Sequence, residues 1–299
     1  MKPVLWALIL GCIFAQSAVG QPAPPQTDSQ ETVLLAYKFT KGQLLRYKVQ
    51  FDAETAIDGG PPEVPAGNEK SVMHCLATVR MRVQRVLPDG SAEFTSTFEA
   101  ANVTVDGKKQ SVDAKSTPVV KFIMQETGAV KWLTPARAAK GETEESPLRT
   151  ALNYVTEFML PGKEVKVGDT WDVSIKDCPI DEWKMDIPLT ATLVSANSMA
   201  VGLKSAEITL KTNPEAAFIM VWGAPMTASA NVEGKYYISL DRKCLMKTEG
   251  STAINVKVFQ FGGEPSDAGP PTGSETAPEP TSSTDVVMKV NYKAELLPE

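Results

Sequence analysis

The dominant hydrophobic period along this chain is two. Met73, Cys75, Ala77, Val79, Met81 and Val83 occupy alternate positions, with Arg80, Arg82 and Gln84 in the later gaps. That alternation predicts a long strand with one buried and one wet face. Pro88-Asp89-Gly90 ends it as a turn. The returning strand sets Ala92, Phe94, Ser96, Phe98 and Ala100 on one face. The apolar positions then slip to Val103 and Val105, which predicts a bulge around Ala101-Asn102. Asp106-Gly107 reads as a hairpin turn. Val120, Phe122 and Met124, then Glu126-Thr127-Gly128, then Val130 and Trp132 make a further hairpin.

One segment changes period. Ser146-Pro147 carries helix-start chemistry behind Glu142, Glu144 and Glu145. Leu148, Leu152, Val155 and Met159 recur at helical spacing, and Leu160-Pro161-Gly162 stops the run. The spacing predicts an amphipathic helix over 147–159, inside a linking segment 142–160. Asn213-Pro214-Glu215 predicts a short second helix through Val221.

Alternation then resumes. Val165, Trp171, Val173 and Ile175 lead into Leu189–Ala196, a turn at Asn197-Ser198, and a strand from Met199 to Lys211. A hairpin runs from Thr227 to Leu240, turns at Asp241-Arg242 and returns as Cys244–Val258. Residues 262–284 are rich in Pro, Gly, Ser and Thr and predict a flexible loop. Beyond it Val286, Met288, Val290 and Tyr292 alternate with Val287, Lys289, Asn291 and Lys293, so the chain returns to add a last strand.

The two halves share an order of features. Gly42 is followed by Leu45, Tyr47 and Val49 at offsets that Gly168 repeats with Trp171, Val173 and Ile175. Each opening strand leads into a long hairpin, and each half ends in a tighter aromatic hairpin, Phe122–Trp132 or Tyr236–Met246. The expected fold is therefore mainly β. Long antiparallel strands in two similar halves, 34–141 and 161–299, form a curved sheet or open barrel, with one amphipathic helix between the halves.

Composition narrows the function classes. With 299 residues, 42% of them hydrophobic, the chain has the material for a substantial core. Its net charge of −6 and lack of a basic run argue against nucleic acid as a partner. The single His, His74, excludes mechanisms that need two. At the N-terminus, Lys2 precedes an apolar run from Val4 to Ala15, followed by Ala18 and Gly20. This is the pattern of a secretory signal, residues 1–20, cut between Gly20 and Gln21. Residues 21–33 then form a disordered leader. Ile9-Leu10-Gly11-Cys12 offers a rival cut resembling a lipobox, with Cys12 as the lipidated residue. Either cut implies export to the periplasm or beyond. No later apolar run is long enough for a transmembrane helix. Cys75, Cys178 and Cys244 remain, an odd number that allows one disulfide of open pairing or buried thiols.

The candidate chemistry is thin. Gly168-Asp169-Thr170-Trp171 offers Asp169 as a ligand or base and Trp171 as a platform, but reads better as a turn feeding a strand. His74-Cys75 suggests a nucleophile with its base, yet neighbours in a strand point to opposite faces. Asp177, Asp181 and Glu182 fall in an expected loop, 176–183, that lacks the pattern of a calcium site and reads as a solvated acidic loop. No metal or cofactor is expected.

The segments YKFTKGQLLRYKV (37–49) and LPGKEVKVGDTWDVSI (160–175) resemble a family of exported bacterial proteins classed as a domain of unknown function. That family carries a lysine-glycine turn before its first long strand and a "pGk.vkvGDtW" segment mid-chain. The resemblance implies an envelope location and supplies no catalytic residues. The layout also resembles periplasmic lipoprotein carriers with half-barrel folds, without a shared motif. The functional expectation is a non-enzymatic binding or carrier protein for an apolar ligand such as a lipid. Met73, Met81, Phe94, Phe98, Met124 and Trp171 are its candidate apolar face, because Met adapts to irregular apolar ligands. The plainer reading of the same residues is core filling. The alternative function is a structural or protein-interaction module of the envelope, docking through a sheet edge or the 262–284 loop.

Overall fold

A computed structural model of the chain describes residues 32–59, 69–110, 119–133, 147–156, 158–180, 183–212, 217–221, 224–260 and 282–298. Cys12, the expected cut at Gly20 and Gln21, most of the leader and residues 262–281 lie outside them. Thr32 and Val33, at the leader's end, already belong to a short strand, β1 (Thr32–Leu34).

The alternation of the first half builds β2 (Leu44–Gly59), β3 (Glu69–Val86) and β4 (Ala92–Val105), then β5 (Lys108–Gln110), β6 (Val120–Met124) and β7 (Val130–Trp132). Helix α1 (Pro147–Thr156) follows. The second half gives β8 (Glu164–Lys166), β9 (Thr170–Ile180), β10 (Trp183–Ala200), β11 (Leu203–Thr212), β12 (Ala217–Val221), β13 (Ala224–Ser239), β14 (Leu245–Gln260) and β15 (Ser282–Leu296). Among the described residues β1 pairs only with β8. All other strands form one antiparallel sheet in the order β7-β6-β4-β3-β2-β15-β14-β13-β11-β10-β9, with β5 against β4 and β12 against β13. Two similar antiparallel halves thus meet where β15 pairs with β2.

Several local expectations are corrected. The bulge sits at Glu99, not Ala101-Asn102: Thr78 faces Ala100 while Val79 faces Phe98. The extra residue points outward, where its carboxylate takes the Arg46 guanidinium at 2.7 Å. Asn197-Ser198 lies within β10, whose register shifts between Leu193 and Ser198 absorb the extra residues. The turn is at Val201-Gly202, with φ of 50° and 76°. The expected second helix is instead β12, a Phe-Ile-Met-Val run that finds a partner in β13. Asp177, Cys178 and Pro179 lie in β9 rather than in a loop. Among the described residues β9 ends the sheet, and an edge strand is where a proline is tolerated. Asp181 and Glu182 fall outside the described residues. Ser282, Ser283 and Thr284 belong to β15, not to the loop.

Val201 is a β-branched residue in left-handed backbone, 46% exposed, so the strain is not offset by packing. Val201→Asn is expected to stabilise the protein by about 1 kcal/mol, because asparagine accepts this conformation and the two-residue turn favours it. A higher urea midpoint at unchanged slope would show it.

A flat path of eleven strands would hold its edges about 50 Å apart. Here one peptide group reaches both. The Leu160 N–H donates to the carbonyl of Thr127, in the β6–β7 turn, at 2.7 Å. The Met159 carbonyl, in the same peptide, accepts from Trp171 Nε1 at the start of β9 at 3.3 Å. The sheet is therefore curled, with β7 and β9 brought together by a bridge instead of a ladder. The described helix runs through Thr156, and Phe158–Leu160 are not helical, short of the expected 159: the Met159–Leu160 peptide is drawn to the two edges instead.

Candidate functional site

The curled sheet turns one face inward, and that face is mainly apolar, with no buried Lys, Arg, Asp or Glu among the described residues. Leu45, Tyr47, Val49, Phe51 and Ala53 of β2 face it, as do Met288, Val290, Tyr292 and Ala294 of β15, and all are buried. Outward positions carry charge pairs, among them Lys70–Glu54 at 2.9 Å and Lys293–Glu295 at 2.9 Å. His74 belongs to this outer set, its Nδ1 2.6 Å from Asp52 Oδ1. Cys75 faces inward as a buried free thiol, its pKa pushed up to about 12 by burial first and by Asp52 second. The two neighbours lie on opposite faces, so they form no catalytic pair.

One end of the interior is capped. The segment after β1 lays Leu35, Tyr37 and Phe39 across it, all buried. Phe39 meets the Phe94 ring edge-on at 5.3 Å, and Phe94 stacks on Phe122 at 5.1 Å. Tyr37 donates its N–H to the Glu126 carbonyl at 2.8 Å and its hydroxyl to the Phe158 carbonyl at 3.4 Å. Gly162 N–H and Leu35 N–H tie the cap to the chain before β8.

Helix α1 fills the middle, burying Ala151, Leu152, Tyr154 and Val155. Tyr154 stacks on Tyr292 with centroids 4.4 Å apart and tilts against Phe51 at 5.6 Å. Phe158, just past the helix, stacks on Tyr236 at 3.8 Å. Under the helix lies a group of hydroxyls on the inward face. Tyr236 and Tyr292 hydroxyls meet at 3.3 Å, and Thr248 donates to Tyr292 at 3.4 Å. Burial raises the pKa of Tyr154, Tyr236 and Tyr292 far above the ordinary phenol value, so each is neutral.

The other end is not closed in the same way. The inward face continues past the helix to Ile57 of β2, Val105 of β4, Ala230 of β13, Val258 of β14 and Val286 of β15. Every one of these is only half-buried. The register sets Ile57, Val286 and Val256 side by side across β2, β15 and β14. An apolar wall therefore runs from a capped end, under a helix, to a rim that is only partly buried.

Of the candidate face residues, Met73, Met81, Phe94, Phe98 and Met124 line the first-half wall and are buried. Met73 lies toward the rim, opposite Ala53 and Val105, while Phe94 and Met124 lie at the cap. Trp171 comes from β9 at the far edge, half-buried, and reaches the same interior through the edge bridge. Asp169 serves its turn, accepting from the Lys166 N–H at 2.9 Å. Sequence reasoning missed Tyr154, Phe158 and the hydroxyl group; the available signal was the polar tip of Tyr236, Thr248 and Tyr292 on an otherwise apolar alternation. Among the described residues no cluster of His, Cys, Asp or Glu is placed to hold a metal ion, and no helix is long and apolar enough to cross a membrane.

These features define an open, curled antiparallel sheet around a helix, with an apolar interior capped at one end. No protein-family model matches the chain, and no curated protein does. Among solved structures it is similar to one described as "Lipid-protein interactions in lipovitellin", with a TM-score of 0.47 and 10% sequence identity. The match covers 87% of this chain and 26% of that one, so this chain spans about a quarter of that protein's length.

Proposed function

We propose that the protein is a non-enzymatic carrier for an apolar, lipid-like ligand, working outside the cytoplasm after removal of residues 1–20. The observation that carries this reading is the apolar inner wall that continues beyond α1 to Ile57, Val105, Val258 and Val286, which are only partly buried. A wall built only to form a core covers such positions more fully, because each partly exposed Val or Ile forgoes up to about 1 kcal/mol of burial. The signal-like segment, together with the likeness of 37–49 and 160–175 to an exported bacterial family, supports the location.

The purified chain is expected to take up diphenylhexatriene, a neutral hydrocarbon that fluoresces only in apolar surroundings, and to copurify with lipid visible in native mass spectra. Absence of both would overturn the carrier reading. A second reading, a docking module of the envelope, draws on β9, whose outer edge is unpaired among the described residues. Recovery of one stoichiometric envelope protein by pull-down, lost on introducing a proline into β9, would favour it.

A further inference from the structure

Among the interior phenols discussed above, four have partners. Tyr37 donates to the Phe158 carbonyl and Tyr47 to the Leu245 carbonyl at 2.9 Å, and Tyr236 and Tyr292 meet each other. Tyr154 differs. Its side chain is 6% exposed, yet its hydroxyl has no hydrogen-bond partner. The neighbouring Asn153 Oδ1 on the same helix is also buried and unpaired. A buried, unpaired hydroxyl is a standing cost that phenylalanine, with the same ring, would not carry. The ring alone supplies the stack on Tyr292 and the contact with Phe51, so the packing does not account for the hydroxyl.

The surroundings define what such a hydroxyl suits. The buried polar side chains among the described residues are Ser and Thr, with no buried Lys, Arg, Asp or Glu. The nearby Tyr292 and Cys75 are protonated as well. An ionised carboxylate or phosphate brought here would lie in apolar surroundings without a cation, which is strongly unfavourable. A neutral hydroxyl or carbonyl needs only one hydrogen bond. Tyr292 lies six residues along β15 from Val286 at the rim, and Phe51 lies six residues along β2 from Ile57. That places the Tyr154 site about 20 Å inside the partly buried end.

Building on the carrier reading, we propose that the Tyr154 hydroxyl is the polar anchor for an uncharged amphiphile, an apolar skeleton bearing one hydroxyl or ester carbonyl. The test compares the full chain with Tyr154→Phe. Diphenylhexatriene, which has no polar group, is bound equally by both. Displacement of that probe by 1-dodecanol requires about three- to tenfold more alcohol in the variant, the worth of one hydrogen bond. Dodecanoate at pH 8 displaces it less well than the alcohol from the unmodified chain. The ligand-free variant melts at the same temperature or higher, because its hydroxyl had nothing to lose. Equal displacement by the alcohol in both proteins, equal competition by dodecanoate, or a lower melting temperature of the ligand-free variant would each overturn the anchor. If the unmodified chain takes up neither probe nor alcohol, the carrier reading falls with it. If the probe binds and only the variant's preference fails to change, the anchor alone falls.

Discussion

Gly128→Ala is expected to cost about 3–5 kcal/mol, toward the upper end for a single substitution. Gly128 sits in the β6–β7 turn at φ 88°, where any side chain adds left-handed strain of about 1–2 kcal/mol. The larger part comes from what the new methyl would meet. It would overlap the carbonyl oxygen of Phe158 and press on the Tyr37 ring. Neither can step aside. The Phe158 carbonyl holds the Tyr37 hydroxyl, and two residues on, the Leu160 N–H is bonded to Thr127 beside the glycine. The cap, the helix exit and one sheet edge are pinned at this point, so yielding there loosens all three. Urea denaturation would measure the loss, and a variant as stable as the parent would show that the cap does not pack on this turn.

The second large effect is at Gly250→Ala, expected to lose about 2–4 kcal/mol. Gly250 is on the inward face of β14, paired with Tyr292 on one side and Gly234 on the other. A methyl here would enter the Tyr292 ring. That ring is held under Tyr154 at 4.4 Å and by hydroxyl contacts to Tyr236 and Thr248. Glycine in a strand is otherwise a weak choice, so the penalty should disappear with the ring. In a Tyr292→Ala background, Gly250→Ala is expected to be neutral or slightly stabilising. The double-mutant cycle would then show a coupling of about 2 kcal/mol or more. A cost that is the same in both backgrounds would place the clash elsewhere.

The strands were legible because their signal is local. Met73 to Val83 alternate whatever they pack against, and one buried face is enough to fix their register. The places that resisted reading depend on distant partners. Glu99 gives no bulge signal of its own; it becomes the extra residue because Arg46 and Arg80 lie where its carboxylate can reach. Val201 breaks turn chemistry outright, so Asn197-Ser198 was the natural choice on sequence grounds. At the helix, Leu152 and Val155 stood out by spacing, yet Tyr154 and Phe158 make the ring contacts with Tyr292 and Tyr236. Trp171 is a candidate on sequence grounds as an aromatic platform in Gly168-Asp169-Thr170-Trp171. What puts it beside the others is the Met159 carbonyl, and no sequence period announces that bond.

That bridge has a mechanical meaning. A closed barrel resists widening with a full ladder of hydrogen bonds along every joint. Here, among the described residues, the joint between β7 and β9 is held by the Met159–Leu160 peptide and by the cap, through the Tyr37 N–H on Glu126 and the bonds of Leu35 and Gly162 before β8, so parting it releases these few hydrogen bonds while every ladder of the large sheet stays intact. Separation at this joint is a local event, far cheaper than unfolding. The molecule can therefore change its girth without changing its fold.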